Sequence, residues 1–178
     1  RRWFPENPPA RMIVPYCGLA ARGCRIEIAA QLLAGDSPLA VERIETSEAP
    51  EPVLHEPQAV KAGDLVFLST QMPVDSHGRI PKELQRSRAF PWHGQPPAWQ
   101  MRYMLKNVSA ICEAAGTRLE NVCRRQAFHD DFERFAPSID EWIAHFPVDP
   151  PASTTVEVGG PLLVPGVAAM LDLIAYAS

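Results

Sequence analysis

The hydrophobic positions after residue 58 form two kinds of pattern, which predict strands and helices in a definite order. Short apolar runs at residues 64–69, 121–128, 153–158 and 166–174 predict strands. Apolar residues recur at three- and four-residue spacing over residues 99–115, which is typical of a helix with one buried face that ends at Gly116. A second helix is predicted after Asp131, a residue type that caps helices, and carries an apolar stripe from Phe132 to Phe146. The order strand, helix, strand, helix, strand, strand predicts an α+β module with both helices on one face of a mixed sheet.

Prolines interrupt this pattern before the first helix. Residues 81–97 contain Pro91, Pro96 and Pro97 and show no periodicity, so they predict a surface insertion or a lid. The tripeptide Trp92-His93-Gly94 within the insertion is better explained as a surface loop than as a pocket wall.

A long internal repeat divides the chain. Residues 4–10, FPENPPA, recur as FPVDPPA at residues 146–152, and in both copies an alternating apolar run, a glycine and a second apolar run follow. A period of this length indicates duplicated domains rather than a solenoid. We therefore expect residues 1–34 to be the last two strands of an upstream module, within a longer product. Residues 35–57, rich in Pro, Ser and Glu, are expected to be a linker with one possible strand at 39–44, and residues 58–178 a complete second module.

Composition narrows the class of protein. The chain has 178 residues, of which 46% are hydrophobic and 21% charged, and its formal net charge is -4. Basic residues are interleaved with acids, which argues against a nucleic-acid-binding face, and no apolar run reaches the length of a membrane span. The four cysteines lack CxxC spacing and stand in apolar stretches, so we expect buried free thiols in a cytoplasmic protein: Cys17, Cys24, Cys112 and Cys123.

Metal chemistry has one weak candidate. The run His129-Asp130-Asp131 could supply ligands, but its position between a strand and a helix favours Asp131 as a helix cap. The sequence therefore predicts neither a metal ion nor a cofactor.

Several motifs of the second module together resemble the Rid (YjgF) family, also called the endoribonuclease L-PSP family. They are residues 62–73, AGDLVFLSTQMP; 105–108, LKNV, with 113–116, EAAG; the ungapped turn 128–135; and the closing pair PPA at 150–152 and EV at 157–158. The resemblance covers nearly all of residues 58–178, and residues 1–34 match the closing strands of the family again. It identifies the chain as a tandem-module member.

The resemblance implies a chorismate-mutase-like α+β fold and trimers with clefts between subunits. In active members an arginine after Pro-Pro-Ala holds the carboxylate of a 2-imino acid, and a glutamate on the last strand positions water, giving a 2-keto acid and ammonia. Arg11 and Glu27 match these two positions in the first copy. Ser153 and Met170 stand there in the second, so the second module is expected to be degenerate.

Two functions remain open at this stage. The chain is an imine or enamine deaminase that acts through Arg11 and Glu27, or it is a non-catalytic module for small-molecule binding or oligomerisation. In the second case Arg11 is a relic and Glu27 a solvent-facing strand residue. Ribonuclease activity is disfavoured, since neither a basic groove nor a His/Lys acid–base pair is evident. The expected partners are a small carboxylate-bearing metabolite and further subunits, as a homotrimer or with an upstream module.

Overall fold

The computed structural model of the chain describes residues 3–177. Residues 1, 2 and 178, which belong to the predicted ranges 1–34 and 58–178, lie outside the described residues. Residues 3–177 form six strands and two α-helices: β1 (Val41–Ile44), β2 (Ala59–Ala62), β3 (Leu65–Leu68), α1 (Pro96–Ala114), β4 (Val122–His129), α2 (Phe135–His145), β5 (Ala152–Glu157) and β6 (Ala169–Tyr176).

The six strands form one mixed sheet in the order β1-β2-β3-β6-β4-β5. β4 and β5 are parallel, whereas the other neighbouring pairs are antiparallel. Parallel neighbours need a crossover connection, which α2 supplies between β4 and β5. β6 lies in the middle of the sheet, and its sequence, AMLDLIAY, is nearly continuous in apolar residues, as expected of a strand covered on both faces.

Both helices pack on one face of the sheet and enclose the main core. Met101, Met104, Leu105 and Val108 of α1 are buried there, so the periodicity at residues 99–115 predicted the helix and its buried face correctly. The helix begins with two prolines, which suit a first turn because its N–H groups have no helical partner. The expected α+β architecture is confirmed.

A second, smaller cluster covers part of the opposite face. It contains Val74, Phe128, Val158, Leu162, Val167 and Met170. Met12 and Val14 of the N-terminal segment pack against it, half-buried. The N-terminal segment thus shares a core with the second module.

The sheet begins earlier in the chain than the sequence indicated. β1 lies within the predicted linker 35–57, at the position of its one possible strand, and pairs along its whole length with β2. β2 was not predicted. Its sequence, AVKA, is too short and too mixed in polarity to show a period.

The two strands expected within residues 1–34 are not formed in the described part of that range. Residues 3–40 contain neither helix nor strand, and residues 20–34 are exposed throughout. Their assignment to an upstream module stays a prediction.

Two expectations about burial need correction. Phe132 and Ile143 of the apolar stripe are exposed, because α2 lies at the margin of the sheet and buries Trp142 and Phe146 instead. Of the four cysteines, Cys112 is buried, while the other three are exposed and form no disulfide. The insertion 81–97 lies at the surface as expected, with Trp92 and His93 exposed.

Candidate functional site

The N-terminal segment crosses the end of β3 in an extended conformation. The Arg11 carbonyl accepts hydrogen bonds from the backbone N–H and the hydroxyl of Thr70, at 2.9 Å and 3.0 Å. The Arg11 N–H donates to Ser69 Oγ at 3.2 Å, and the Ile13 N–H to Thr70 Oγ1 at 3.3 Å. These bonds fix the backbone of Arg11 beside two polar residues of the second module.

The side chain of Arg11 forms an ion pair with Glu56. Its Nε lies 2.9 Å from Oε2 of Glu56, and the glutamate side chain is 5% exposed whereas that of Arg11 is 42% exposed. Burial raises the pKa of Glu56, and the bond and charge of Arg11 partly oppose that rise. The two terminal amino groups of Arg11 make no hydrogen bond or ion pair with other residues in the range 3–177, so they are available to a ligand.

A cavity of about 50 Å³ adjoins this ion pair. Its walls come from the loop 49–54, from Glu56 and Gln58, from residues 69–72 after β3, and from Val74, Asn107 and Ile111. A single water needs roughly 10–15 Å³ by this kind of measure, so the space suits a few waters or part of a small metabolite. Arg11 is not itself a lining residue, but its backbone bonds to Ser69 and Thr70 and its side chain to Glu56, all three of which line the cavity.

The cavity wall is held in place by Gln58. Its side-chain amide donates to the carbonyls of Thr46, Ala49 and Pro50 at 3.0–3.1 Å and accepts from the Thr46 N–H at 2.6 Å. A buried amide with all its bonding groups used gives a well-defined wall.

The structure does not place Glu27 beside Arg11. Glu27 is exposed in residues 20–34 and is not among the residues that line the cavity. Its proposed role depends on residues 24–33 forming a strand, which they do not do here. Glu56, a residue that the sequence analysis missed, occupies the position next to the guanidinium instead.

The corresponding positions of the second module carry no charge. The hydroxyl of Ser153 accepts a hydrogen bond from Nη1 of Arg125 at 2.8 Å, and Met170 is fully buried in the smaller cluster. These two residues are therefore used in packing and internal hydrogen bonding.

A buried polar cluster, unforeseen from the sequence, lies between β4 and α2. Arg125 stacks on the indole of Trp142 at 4.7 Å, and burial lowers its pKa to about 10. His129, which contacts the ring of Phe135, has a pKa lowered to about 4 by burial and by the charge of Arg125. Nε and Nη2 of Arg125, both ring nitrogens of His129 and Oγ of Ser138 have no hydrogen-bond partner among the described residues.

Asp131 caps the short helical turn before α2, whereas α2 itself begins after Arg134 without a side-chain cap. Its carboxylate accepts the N–H of Glu133 at 2.8 Å, at the start of the single turn Phe132–Arg134 that leads into α2. Within residues 3–177 no group of three or more His, Cys, Asp or Glu side chains is arranged to hold a metal ion. Across the same residues, no helix has the length and apolar character needed to span a membrane.

Comparison with known proteins places this chain in a family. The model of the Endoribonuclease L-PSP family matches residues 46–176, nearly three quarters of the chain. The chain therefore belongs to the Endoribonuclease L-PSP family, which is the Rid (YjgF) family of the sequence resemblance.

Relatives of known sequence agree. The RutC family protein PH0854 of Pyrococcus horikoshii is 33% identical over 118 residues, which are 66% of this chain and 84% of that protein. A protein of Escherichia coli K12 named as a reactive intermediate deaminase, TdcF, is 34% identical over 94 residues, which are 52% of this chain and 63% of that protein.

Solved structures show the same fold. The crystal structure of E. coli TdcF with bound serine matches with a TM-score of 0.60 and 28% identity, over 77% of this chain and 99% of that one. The YjgF gene product of E. coli matches with a TM-score of 0.61 and 27% identity, over 77% and 99%. The Rid-like α+β fold is thereby confirmed.

Proposed function

We propose that this chain takes part in the hydrolysis of 2-imino acids, or their enamine tautomers, to 2-keto acids and ammonia, with Arg11 as the carboxylate anchor. The observation that carries the proposal is the placement of Arg11. Its backbone is fixed to Ser69 and Thr70, and its guanidinium binds Glu56, a residue that lines the cavity, through Nε alone. A planar guanidinium binds a carboxylate through two parallel hydrogen bonds.

Glu56 is the acid–base group in this proposal. Water adds to the carbon of the C=N bond, the nitrogen gains the proton, and the amino alcohol then loses ammonia to leave the keto acid. A carboxylate near the carbon would orient the water and accept its proton. The raised pKa of Glu56 suits that task, because a more basic carboxylate accepts a proton more readily. Glu27 remains a second candidate for this role if residues 24–33 fold as a strand.

The proposal predicts that Arg11→Ala abolishes most of the activity. Charge-assisted hydrogen bonds contribute about 1.5–3 kcal/mol each, so losing two of them should lower kcat/KM about a hundredfold or more. The assay generates 2-iminopropanoate with an amino-acid oxidase and follows its decay with and without the protein.

Arg22→Ala is the matched control, because Arg22 is exposed in the same N-terminal segment and away from the cavity. It should leave the rate unchanged. Equal decay rates with and without the wild-type protein would refute the deaminase proposal.

A non-catalytic module is the second candidate function, and the uncharged positions Ser153 and Met170 favour it for residues 58–177. On this alternative the chain binds a neutral small molecule or assembles with other subunits, without hydrolysis. Neither pyruvate nor serine would then raise the melting temperature of the protein, whereas a rise with either ligand that Arg11→Ala abolishes supports the deaminase.

We also propose that the chain works as an oligomer, either a homotrimer or an assembly with an upstream module. Ile26, Ile28 and Leu32 are exposed in a segment without regular structure, as expected of a strand that lacks its neighbours. Light scattering after size exclusion should give about three times the 19.7 kDa chain mass for a homotrimer, and a stable monomer would contradict it.

The exposed free thiols suit a reducing compartment, so we propose that the protein is cytoplasmic.

A further inference from the structure

We infer that Glu56 makes the site selective for ligands that carry a cationic nitrogen next to their carboxylate, such as a protonated imine or an amino acid, over plain carboxylates such as the keto-acid product. This inference rests on the proposed function, because it takes Arg11 as the carboxylate anchor. It adds a specificity-determining residue and a charge requirement for the ligand.

The guanidinium of Arg11 would carry two carboxylates when a ligand is bound. Glu56 occupies the Nε edge of Arg11 at 2.9 Å, and a ligand carboxylate has the terminal amino groups left to it. Two carboxylates would then share one planar cation. Like charges that share a site repel each other, so a ligand with a carboxylate alone binds against the charge of Glu56.

Glu56 is buried beside the guanidinium. Its side chain is nearly inaccessible to solvent, and Arg11 is its sole ion-pair partner among the described residues. Because water screens buried charges weakly, Glu56 acts strongly on whatever enters beside it. A nitrogen cation attached to the carbon next to the ligand carboxylate would remove the repulsion and offer Glu56 a donor.

Hydrolysis changes the charge of the bound ligand. Hydrolysis converts a ligand with one negative and one positive group into a keto acid with a negative group alone, and releases the nitrogen as ammonia. The product therefore loses the group that Glu56 favours and keeps the one that it repels. Glu56 would retain the substrate and promote release of the keto acid.

The test is direct binding measured by calorimetry, so it does not depend on turnover. Two probes differ in charge: pyruvate carries a carboxylate alone, and serine carries a carboxylate and an ammonium group. We expect wild-type protein to bind serine at least tenfold more tightly than pyruvate. The Glu56→Gln variant should bind pyruvate about tenfold more tightly and serine about tenfold more weakly than the wild type. The order of the two affinities should therefore reverse.

Two further variants keep the test interpretable. Glu56→Asp retains the charge and should retain the wild-type ranking, which separates charge from folding effects. Glu42→Gln removes an exposed acid of β1 that does not line the cavity, and should change neither affinity more than twofold.

Each outcome decides one idea. If both probes bind in an Arg11-dependent way and Glu56→Gln leaves their ratio unchanged, the role of Glu56 is refuted and the carboxylate anchor stands. If neither probe binds the wild-type protein, or if Arg11→Ala binds both as before, the proposed function itself fails.

Discussion

Arg11 could be found from the sequence, whereas its partner Glu56 could not. Glu56 stands 45 residues further along the chain, and no local pattern links the two residues. The repeat marked Arg11, because the same Pro-Pro-Ala motif precedes Ser153 in the second copy. Glu56 follows His55 and precedes Pro57 in a segment with linker composition. A charged residue in such a context is normally solvated, and folding alone shows that it is buried against a guanidinium.

Arg125 and His129 were also unpredictable. Adjacent arginines in a strand such as Arg124-Arg125 suggest a solvent-facing position, yet Arg125 is buried under α2 while Arg124 pairs with Asp172 on the opposite face. Alternation along β4 puts every second residue toward the helices whatever its polarity. The stacking of Trp142 on the guanidinium compensates part of the cost of burying it.

His129 should make the stability of the protein depend on pH. Its pKa in the folded chain, about 4, lies below the value of about 6.5 in an unfolded chain, so the unfolded chain binds the proton more readily. Its neutral form is compatible with the fold above about pH 6.5, and stability is lost as the pH falls from there toward 4. Between pH 6.5 and 5 the loss should be about 2 kcal/mol.

Urea unfolding at pH 7 and pH 5 measures this effect. The difference between the two free energies of unfolding should shrink by about 2 kcal/mol in His129→Leu. His77→Gln, at an exposed turn, should leave the difference as in the wild type. An unchanged difference in His129→Leu would show that the buried imidazole is not responsible.

Elements with a clear apolar run or period, including the short β3, were predictable, whereas β1 was foreseen only as a possible strand and β2 was not foreseen. The 19 residues of α1 repeat their apolar positions over five turns, and β6 is apolar apart from Asp172 and its last residue, so both were found within a few residues of their ends. β1 and β2 have four residues each. Their hairpin is stabilised by the pairing of β2 with β3 and by the hydrogen bonds of the Gln58 side chain. Such tertiary causes leave no periodic signal in the sequence.

The end of α1 depends on Gly116, which has a φ of 77°. Gly116→Ala should lower the free energy of unfolding by about 1 kcal/mol, because a residue with a Cβ strains in that conformation. No atom would lie within 4 Å of the new methyl group, so the loss would come from the backbone alone. Thermal or urea unfolding measures it.

Gly160→Ala is the matched control for this change. Gly160 also has open space around its Cβ position, but its φ is not in the left-handed region. It should unfold like the wild type or slightly later. Equal losses in the two variants would contradict the assignment of Gly116 as the helix-terminating residue.

At the scale of the whole molecule, the N-terminal segment is joined to the sheet by hydrogen bonds and apolar contacts. Arg11 and Ile13 bond to the residues that follow β3, and Met12 and Val14 pack against the smaller core. Residues 26–33, which align with β6 when Gly23 is matched to Gly166, form no strand in the described structure and are exposed. The duplication stays a prediction from the sequence, and this contact could not be predicted, since it joins residues about 58 positions apart.

A crystal structure of the protein with serine bound tests the central claim most directly, because the claim states where the ligand binds. The account predicts the serine carboxylate on the terminal amino groups of Arg11, with the ammonium group toward Glu56. Serine bound elsewhere in the molecule, with Arg11 still paired to Glu56 and no ligand beside it, would contradict the account.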